Sequence, residues 1–320
     1  MNQIANRDAG PVPKKIPTPF PKDHPQAGQA DAAIDEMIEY YEEAGPDYAA
    51  WSPEFNMHFG YFAIGMNPFR REAMLARMND EVFDRLDFDD RPGDILDAGC
   101  GLGTPARAAA RRFANANVTG ISIVPWQIEQ ARSRALADFA DPNDRAAAPR
   151  FERMDFTRTD FPDAAFDRVY GIESVCHAPG LDKGDFLTEA ARILKPGGRL
   201  VIADGFLKQA HRPMPGPLDW ITRTICRCWS LETFAGLKEF RAALIKAGFG
   251  EPRIEDLSWR IAPSVLHVPA VTARFLLKEL RSGAKLTKQR RENLIAPMLA
   301  PLLGMARSRF AYLIVTAERR

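Results

Sequence analysis

A chain of 320 residues can form one large domain or a core with an elaboration. Its apolar and charged fractions are those of ordinary globular proteins, and a formal net charge of +1 gives no electrostatic case for nucleic acid as the main partner. Cys100, Cys176, Cys226 and Cys228 include one close pair and no second Cys/His cluster, so free buried thiols in a reducing cytoplasm are expected, and no metal.

Residues 1–28 are polar and rich in proline, with no apolar signal-peptide core, and are expected to form a mobile arm. From there Ile34, Met37, Ile38 and Tyr41 fall on one face of a helix, with acidic residues around the rest. A second helix is expected to open at Asn67 as N-cap, with Pro68 in its first position and Met74, Met78, Val82 and Leu86 inward. These two form a helical cap over residues 29–90.

An alternating pattern follows over residues 91–206. Strands are expected at 94–98, 118–122, 151–155, 168–172 and 199–203, with helices at 104–113, 127–139 and 186–194 between them. Lys195-Pro196-Gly197-Gly198 stops the last helix. Such alternation implies a parallel sheet with right-handed crossovers. Residues 207–300 are expected to be a helical lid with parts of the core, including a helix from 231 to 246 ending at Gly248 and a strand over 254–259. The final segment, 301–320, carries an apolar β-type run at 310–316 that can complete the sheet. No run of about 18 uninterrupted apolar residues exists, so no membrane span is expected. A peripheral membrane contact and the oligomeric state stay open.

The most informative segment is Asp97-Ala98-Gly99-Cys100-Gly101-Leu102-Gly103-Thr104-Pro105. A buried strand runs into a glycine-rich turn and then a helix, with Thr104 placed to cap it and Pro105 in its first turn. Glycines let the backbone approach a ligand at the carboxyl edge of the sheet. The spacing is G-x-G-x-G rather than the dinucleotide G-x-G-x-x-G. The second strand ends Gly120-Ile121-Ser122, without the acid that a dinucleotide fold sets on its ribose. Asp97 can orient the turn and meet a cationic ligand group.

This turn resembles that of Rossmann-like methyltransferases. The stretch Phe166-Asp167-Arg168-Val169-Tyr170-Gly171-Ile172-Glu173-Ser174-Val175-Cys176-His177-Ala178-Pro179 resembles the sterol 24-C-methyltransferase segment. The same pattern occurs in tocopherol methyltransferases and some small-molecule O-methyltransferases. The likeness reaches upstream to Tyr40-Tyr41 and to the aromatic segment 51–62, and covers roughly residues 36–206. It implies an α/β fold with a doubly wound, mostly parallel seven-stranded sheet, N-terminal helices and a helical lid. It implies S-adenosylmethionine as cofactor, held by Tyr41, His58, Asp97, Gly99, Cys100, Gly101, Gly103, Ser122, Gln127, Asp155, Phe156 and Glu173. Ser122 departs from the acidic ribose ligand usual in these enzymes, and Gln127 is the second candidate to replace it.

Glu173 and His177 are the candidate catalytic residues, each able to act as base or orienter, although a backbone cap and a buried hydrogen-bonded imidazole are the plainer readings. Trp51, Phe59, Tyr61, Trp220 and Trp229, with Phe55 and Trp259, are candidates to line an apolar acceptor pocket, though each alone could be core packing. The expected activity is methyl transfer to a small lipophilic acceptor, carbon methylation of an isoprenoid, sterol-like or lipid molecule first. Oxygen or nitrogen methylation of a phenolic or glycosylated metabolite is the first rival, and a non-catalytic cofactor-binding scaffold the second.

Overall fold

The computed structural model describes residues 27–89, 91–141, 147–282 and 287–320. The expected arm lies almost wholly outside them; α1 (Ala27–Ala44) opens the described chain. A 3₁₀ turn at Gly45–Ala50 and an extended aromatic segment lead to α2 (Arg71–Leu86). The core then alternates β1 (Gly93–Ala98), α3 (Thr104–Arg112), β2 (Ala116–Ser122), α4 (Pro125–Asp138), β3 (Arg150–Arg153), β4 (Phe166–Ile172), α5 (Gly184–Ile193) and β5 (Leu194–Leu207). It continues through α6 (Gly216–Cys228), β6 (Ala235–Gly236), α7 (Leu237–Lys246) and β7 (Arg253–Asp256). Last come α8 (Ser258–Val265), α9 (Val268–Ser282), α10 (Lys288–Met305) and β8 (Phe310–Glu318).

The sheet runs β3-β2-β1-β4-β5-β8-β7, with β6 paired to β5 off this path. Pairings among β1 to β6 are parallel; β8 is antiparallel to both β5 and β7. Alternate residues face opposite sides, as a strand's period of two requires. Ile95, Tyr170, Val201 and Tyr312 join the core under α2, α3, α4 and α8. Leu96, Val169, Leu200 and Leu313 join the core under α5 and α7. The sheet is therefore covered on both faces, and its exposed chemistry is confined to the strand ends.

Several expectations are corrected. Eight strands form rather than seven, because Ala235–Gly236 pairs with the end of β5 instead of lying in a helix begun at Leu231. The segment before it is held out of helix: Leu231 N–H bonds back to Cys226, and the Thr233 carbonyl accepts from Lys183. Asn67 does not cap α2; its side chain closes a turn onto Phe69 N–H, and the helix opens at Arg71. Thr104 does not cap α3; its hydroxyl donates to the Glu54 carbonyl, and Gly103 holds the N-cap position. β5 runs on to Leu207 because β8 pairs with it from Arg199 onward. β7 stops at Asp256, whose carboxylate accepts from Ser258 N–H and Oγ and so starts α8, which carries Trp259. Among the described residues no helix is long and apolar enough to cross a membrane, and no cluster of side chains is set to hold a metal. All four cysteines are free and buried.

Candidate active site

Two neighbouring cavities, of ≈ 210 Å³ and ≈ 560 Å³, open at the carboxyl ends of the parallel strands. The smaller is built on the glycine turn. Gly99 (φ 91°), Gly101 (φ 51°) and Gly103 (φ 75°) all take left-handed backbone, which side-chain-bearing residues rarely adopt. They serve different ends. A Cβ on Gly101 would meet only Met57 Sδ, at 3.4 Å, so this glycine leaves its space to the cavity. A Cβ on Gly103 would stand 2.4 Å from Phe151 Cζ, so this one lets α3 seat on the sheet. Gly99, Cys100 and Gly101 line the smaller cavity; Gly103 does not, and it packs against Phe151 instead.

Around this turn stand Asp97, Ser122, Gln127, Asp155 and Phe156, with Ile34, Met37 and Tyr41 reaching over from α1. Asp97 is buried, and its Oδ2 has no hydrogen-bond partner. Burial pushes its carboxyl up to about 7, against the pull of the adjacent Tyr170 hydroxyl. Ser122 Oγ donates to Gln127 Oε1 at 2.7 Å, so the two candidates for the ribose form one buried polar pair. Asp155 accepts from Thr157 N–H and Oγ1 at 2.8 Å each. A buried carboxylate oxygen without a partner, a glycine approach, a polar pair and the Phe156 ring together suit a ligand with a cationic group, hydroxyls and an aromatic base. S-adenosylmethionine fits that donor set.

Tyr41, Met57, His58, Glu173 and His177 line both cavities and mark their junction. Glu173 follows β4 in left-handed backbone (φ 50°), a costly conformation for a non-glycine residue. Its Oε1 accepts from Phe59 N–H at 2.6 Å and from Tyr312 Oη at 2.9 Å. Burial, with Asp204 adding repulsion, raises its carboxyl to about 8 although both hydrogen bonds oppose the shift. His177 sits on a 3₁₀ turn, Val175–His177. Its Nε2 lies 3.0 Å from Tyr41 Oη, and its Nδ1 has no hydrogen-bond partner. Burial and the Lys183 charge hold it down at about 4, with the Ser230 backbone opposing, so the imidazole is neutral at pH 7. His58 Nδ1 lies 2.9 Å from the Phe59 carbonyl, and burial lowers its value to about 4 as well.

The turn bearing His177 is fixed from below. Asp204 Oδ2 accepts from Cys176 N–H at 2.8 Å. Lys183, fully buried, donates to the carbonyls of Cys176 (3.0 Å), Ala178 (2.6 Å) and Thr233 (2.8 Å). A lone Asp in the apolar run Leu200-Val201-Ile202-Ala203-Asp204 is a signal that could have pointed to Asp204. Tyr312 has no local signal; only the β5–β8 pairing brings it to Glu173.

The larger cavity is lined by Trp51, Phe59 and Trp229 among the expected aromatics, and also by Trp259. Phe55 lines the smaller one. Tyr61 and Trp220 line neither, so the structure does not bring these two candidates to the site. Tyr61 packs at the edge of the core beneath the Arg260 guanidinium, 5.6 Å from its ring centroid. Trp220, near the N-terminal end of α6, is 60% exposed to solvent. Trp229 Nε1 is buried without a hydrogen-bond partner in this largely apolar chamber.

Comparisons with known proteins agree with this geometry. A family described as a methyltransferase domain matches residues 96–202. The chain is 36% identical over 214 residues to the 27-O-demethylrifamycin SV methyltransferase of Amycolatopsis mediterranei, a match spanning 65% of this chain and 72% of that one. It is 36% identical over 162 residues to the sterol 24-C-methyltransferase ERG6B of Gibberella zeae, spanning 50% and 39%. A solved geranyl diphosphate methyltransferase, in complex with GPP and sinefungin, shares the fold with a TM-score of 0.67 at 18% identity, over 90% of this chain and 100% of that one.

Proposed function

We propose, for a chain that belongs to the S-adenosylmethionine-dependent methyltransferases, that the acceptor is a bulky, largely apolar small molecule and that a hydroxyl oxygen on it takes the methyl group. The observation that carries this reading is the junction: His177, neutral and with Nδ1 unpartnered, lines both cavities. When bound, S-adenosylmethionine supplies an electrophilic methyl on a sulfonium. The chain's own residues have four tasks.

Asp97 and the glycine turn hold the cationic end of the cofactor, and Ser122, Gln127, Asp155 and Phe156 hold its nucleoside. The walls of the larger cavity seat the acceptor and exclude water, which strengthens every charge interaction inside. Trp229 Nε1–H is a donor for an acceptor oxygen. His177, with Nε2–H donating to Tyr41, offers the Nδ1 lone pair to the acceptor hydroxyl. As the new O–C bond forms and the S–C bond breaks, the hydroxyl proton passes to Nδ1, leaving a methyl ether and S-adenosylhomocysteine. The relative named as a 27-O-demethylrifamycin SV methyltransferase supports an oxygen as the methylated atom.

A second reading, carbon methylation of an alkene, is favoured by Glu173. A carboxyl beside aromatic faces can stabilise a carbocation, and a neighbouring base can remove its proton. Held near 8, Glu173 is mostly neutral at pH 7 in the protein alone, which makes oxygen the first choice. The test is labelled-methyl transfer over hydroxylated isoprenoids, sterols, rifamycin-like products and phenols, with the product atom located by NMR. Label on oxygen is expected. Label on carbon selects the second reading, and transfer to none of these acceptors overturns both.

A further inference from the structure

We propose that α8, α9 and α10 form a docking surface for an anionic lipid bilayer and present the mouth of the larger cavity to its apolar phase. The sequence is polarised in a way the whole-chain charge hides. Between residues 258 and 309 it carries ten Lys or Arg against two Asp or Glu, whereas the full chain is +1. Arg290 and Arg307 are used internally, in pairs with Asp47, Glu279 and Asp256. Arg274, Lys278 and Arg281 are not. They stand exposed along the outer face of α9, with no ion pair among the described residues.

Apolar side chains are interleaved with these cations. Leu277 and Leu280 share the outer face of α9, whose inner face is Val268, Thr272 and Phe275. On α10, Ile295, Met298, Leu302 and Met305 follow one another at spacings of three and four and are all exposed. That is a continuous apolar stripe with no partner among the described residues. Trp259, Leu280 and Met305 are each 76% exposed. Trp259, Leu266 and Met305 also line the larger cavity, so the exposed apolar surface is continuous with the cavity mouth.

A helical surface with basic and apolar groups on one side is the physical signature of a helix lying in a membrane interface. The charge selects the occupant. A second copy seated symmetrically on this face would bring two strongly basic surfaces together, whereas an anionic bilayer neutralises one. Since no described helix can cross a membrane, the contact is peripheral. The advantage for an apolar acceptor is direct: it passes from lipid into the cavity without crossing water. That last point rests on the larger cavity being the acceptor site; the docking itself does not.

The test is sedimentation with vesicles of phosphatidylcholine alone and of phosphatidylcholine with roughly one-third phosphatidylglycerol. The full chain is compared with Lys278→Glu/Arg281→Glu and with Leu277→Ser/Leu280→Ser, none of which touches either cavity. Circular dichroism and S-adenosylhomocysteine affinity establish that each variant is folded. The wild type is expected to sediment with the anionic vesicles only and to be released by salt, and each double variant to bind about tenfold more weakly or worse. Absence of binding to the anionic vesicles, or equal binding by the variants, overturns the proposal. So does a concentration-dependent dimer that the same substitutions dissolve, seen without vesicle binding. Vesicle binding with failure of every acceptor tested would instead sink the assignment of the cavity and leave the docking intact.

Discussion

Tyr41 Oη and His177 Nε2 lie 3.0 Å apart across 136 residues of sequence, joining the N-terminal helix to the turn after β4. Their rings also meet edge to face, with centroids 5.7 Å apart. The helix that roofs the smaller cavity therefore also orients the imidazole at the junction of the two, and burial keeps the Tyr41 hydroxyl protonated. His177→Ala is expected to lower single-turnover methyl transfer by about 10²–10⁴. Tyr41→Phe keeps the ring and loses one hydrogen bond, and should lower the rate by about tenfold. S-adenosylhomocysteine affinity, measured in parallel by calorimetry, should change little in either. Wild-type rates in both variants on the true acceptor would remove His177 from the chemistry.

The glycines of the turn are expected to separate in their effects. Gly103→Ala combines a left-handed residue with a Cβ 2.4 Å from Phe151 Cζ, and should destabilise the fold by about 2–4 kcal/mol. Gly101→Val meets the same backbone penalty, about 1–2 kcal/mol, and its added bulk stands beside Met57 at the cavity wall. Urea unfolding should rank Gly103→Ala as the more destabilised. Calorimetry should show Gly101→Val with the larger loss of cofactor affinity relative to its stability change. Unchanged S-adenosylhomocysteine affinity in Gly101→Val would detach the turn from the cofactor.

Stability should fall as pH rises from about 6.5 to 8 in the cofactor-free protein. Asp97 and Glu173 are raised to about 7 and about 8, so across this window the folded chain holds protons that the unfolded chain has already released. The lowered imidazoles, His58 and His177, act below the window: folded, they refuse protons that the unfolded chain accepts below its ordinary value of 6.5, so they take stability away as pH falls toward 4. Thermal melts over pH 6.5–8 should slope downward, and Asp97→Asn with Glu173→Gln should flatten the slope. A rising slope in the wild type would contradict the burial of these carboxyls. Binding of the cationic cofactor should release protons near pH 7, read from calorimetry in buffers of different ionisation enthalpy.

Lys183 makes a further prediction about positioning rather than chemistry. Replacing it with Met leaves two buried carbonyls and one half-buried one without their donor, and the expected loss is about 3 kcal/mol or more. Lys183→Arg restores a cation that can donate but not the compact point donor, and should recover stability in part. A kcat loss in Lys183→Arg with KM for the cofactor unchanged would show that the turn carrying His177 has shifted. Full activity in Lys183→Met would mean that Asp204 holds the turn alone.

Local physics made much of this protein legible. Asp97 through Gly103 declared a strand, a turn and a helix because glycine at positive φ and apolar strand periodicity are properties of a few neighbouring residues. Ser122 and Gln127, five apart across a strand–helix junction, could be paired for the same reason. The alternation of strands and helices fixed the parallel core, since each element had to bury one face against the next. Element boundaries moved where a distant partner competes, as at Ala235–Gly236 and along the β5–β8 ladder, and where a short side-chain turn intervenes, as at Asn67 and Asp256.

The junction of the two cavities was a tertiary decision. Glu173 and His177 were visible as residue types after a strand, but what surrounds them comes from elsewhere in the chain: Tyr41 from α1, Phe59 from the aromatic segment, Tyr312 from the last strand. Burial, and with it a carboxyl near 8 and imidazoles near 4, exists only once those segments close over the strand ends. The same holds for the aromatics. Trp229 and Trp220, nine residues apart, fall on opposite faces, and only the packing of the neighbouring elements set one against the chamber and the other against solvent. Sequence spacing fixes which face of a helix a residue occupies. Only the neighbouring elements decide whether that face meets a cavity, a core or water, because burial is a property of the assembled surfaces rather than of any one of them.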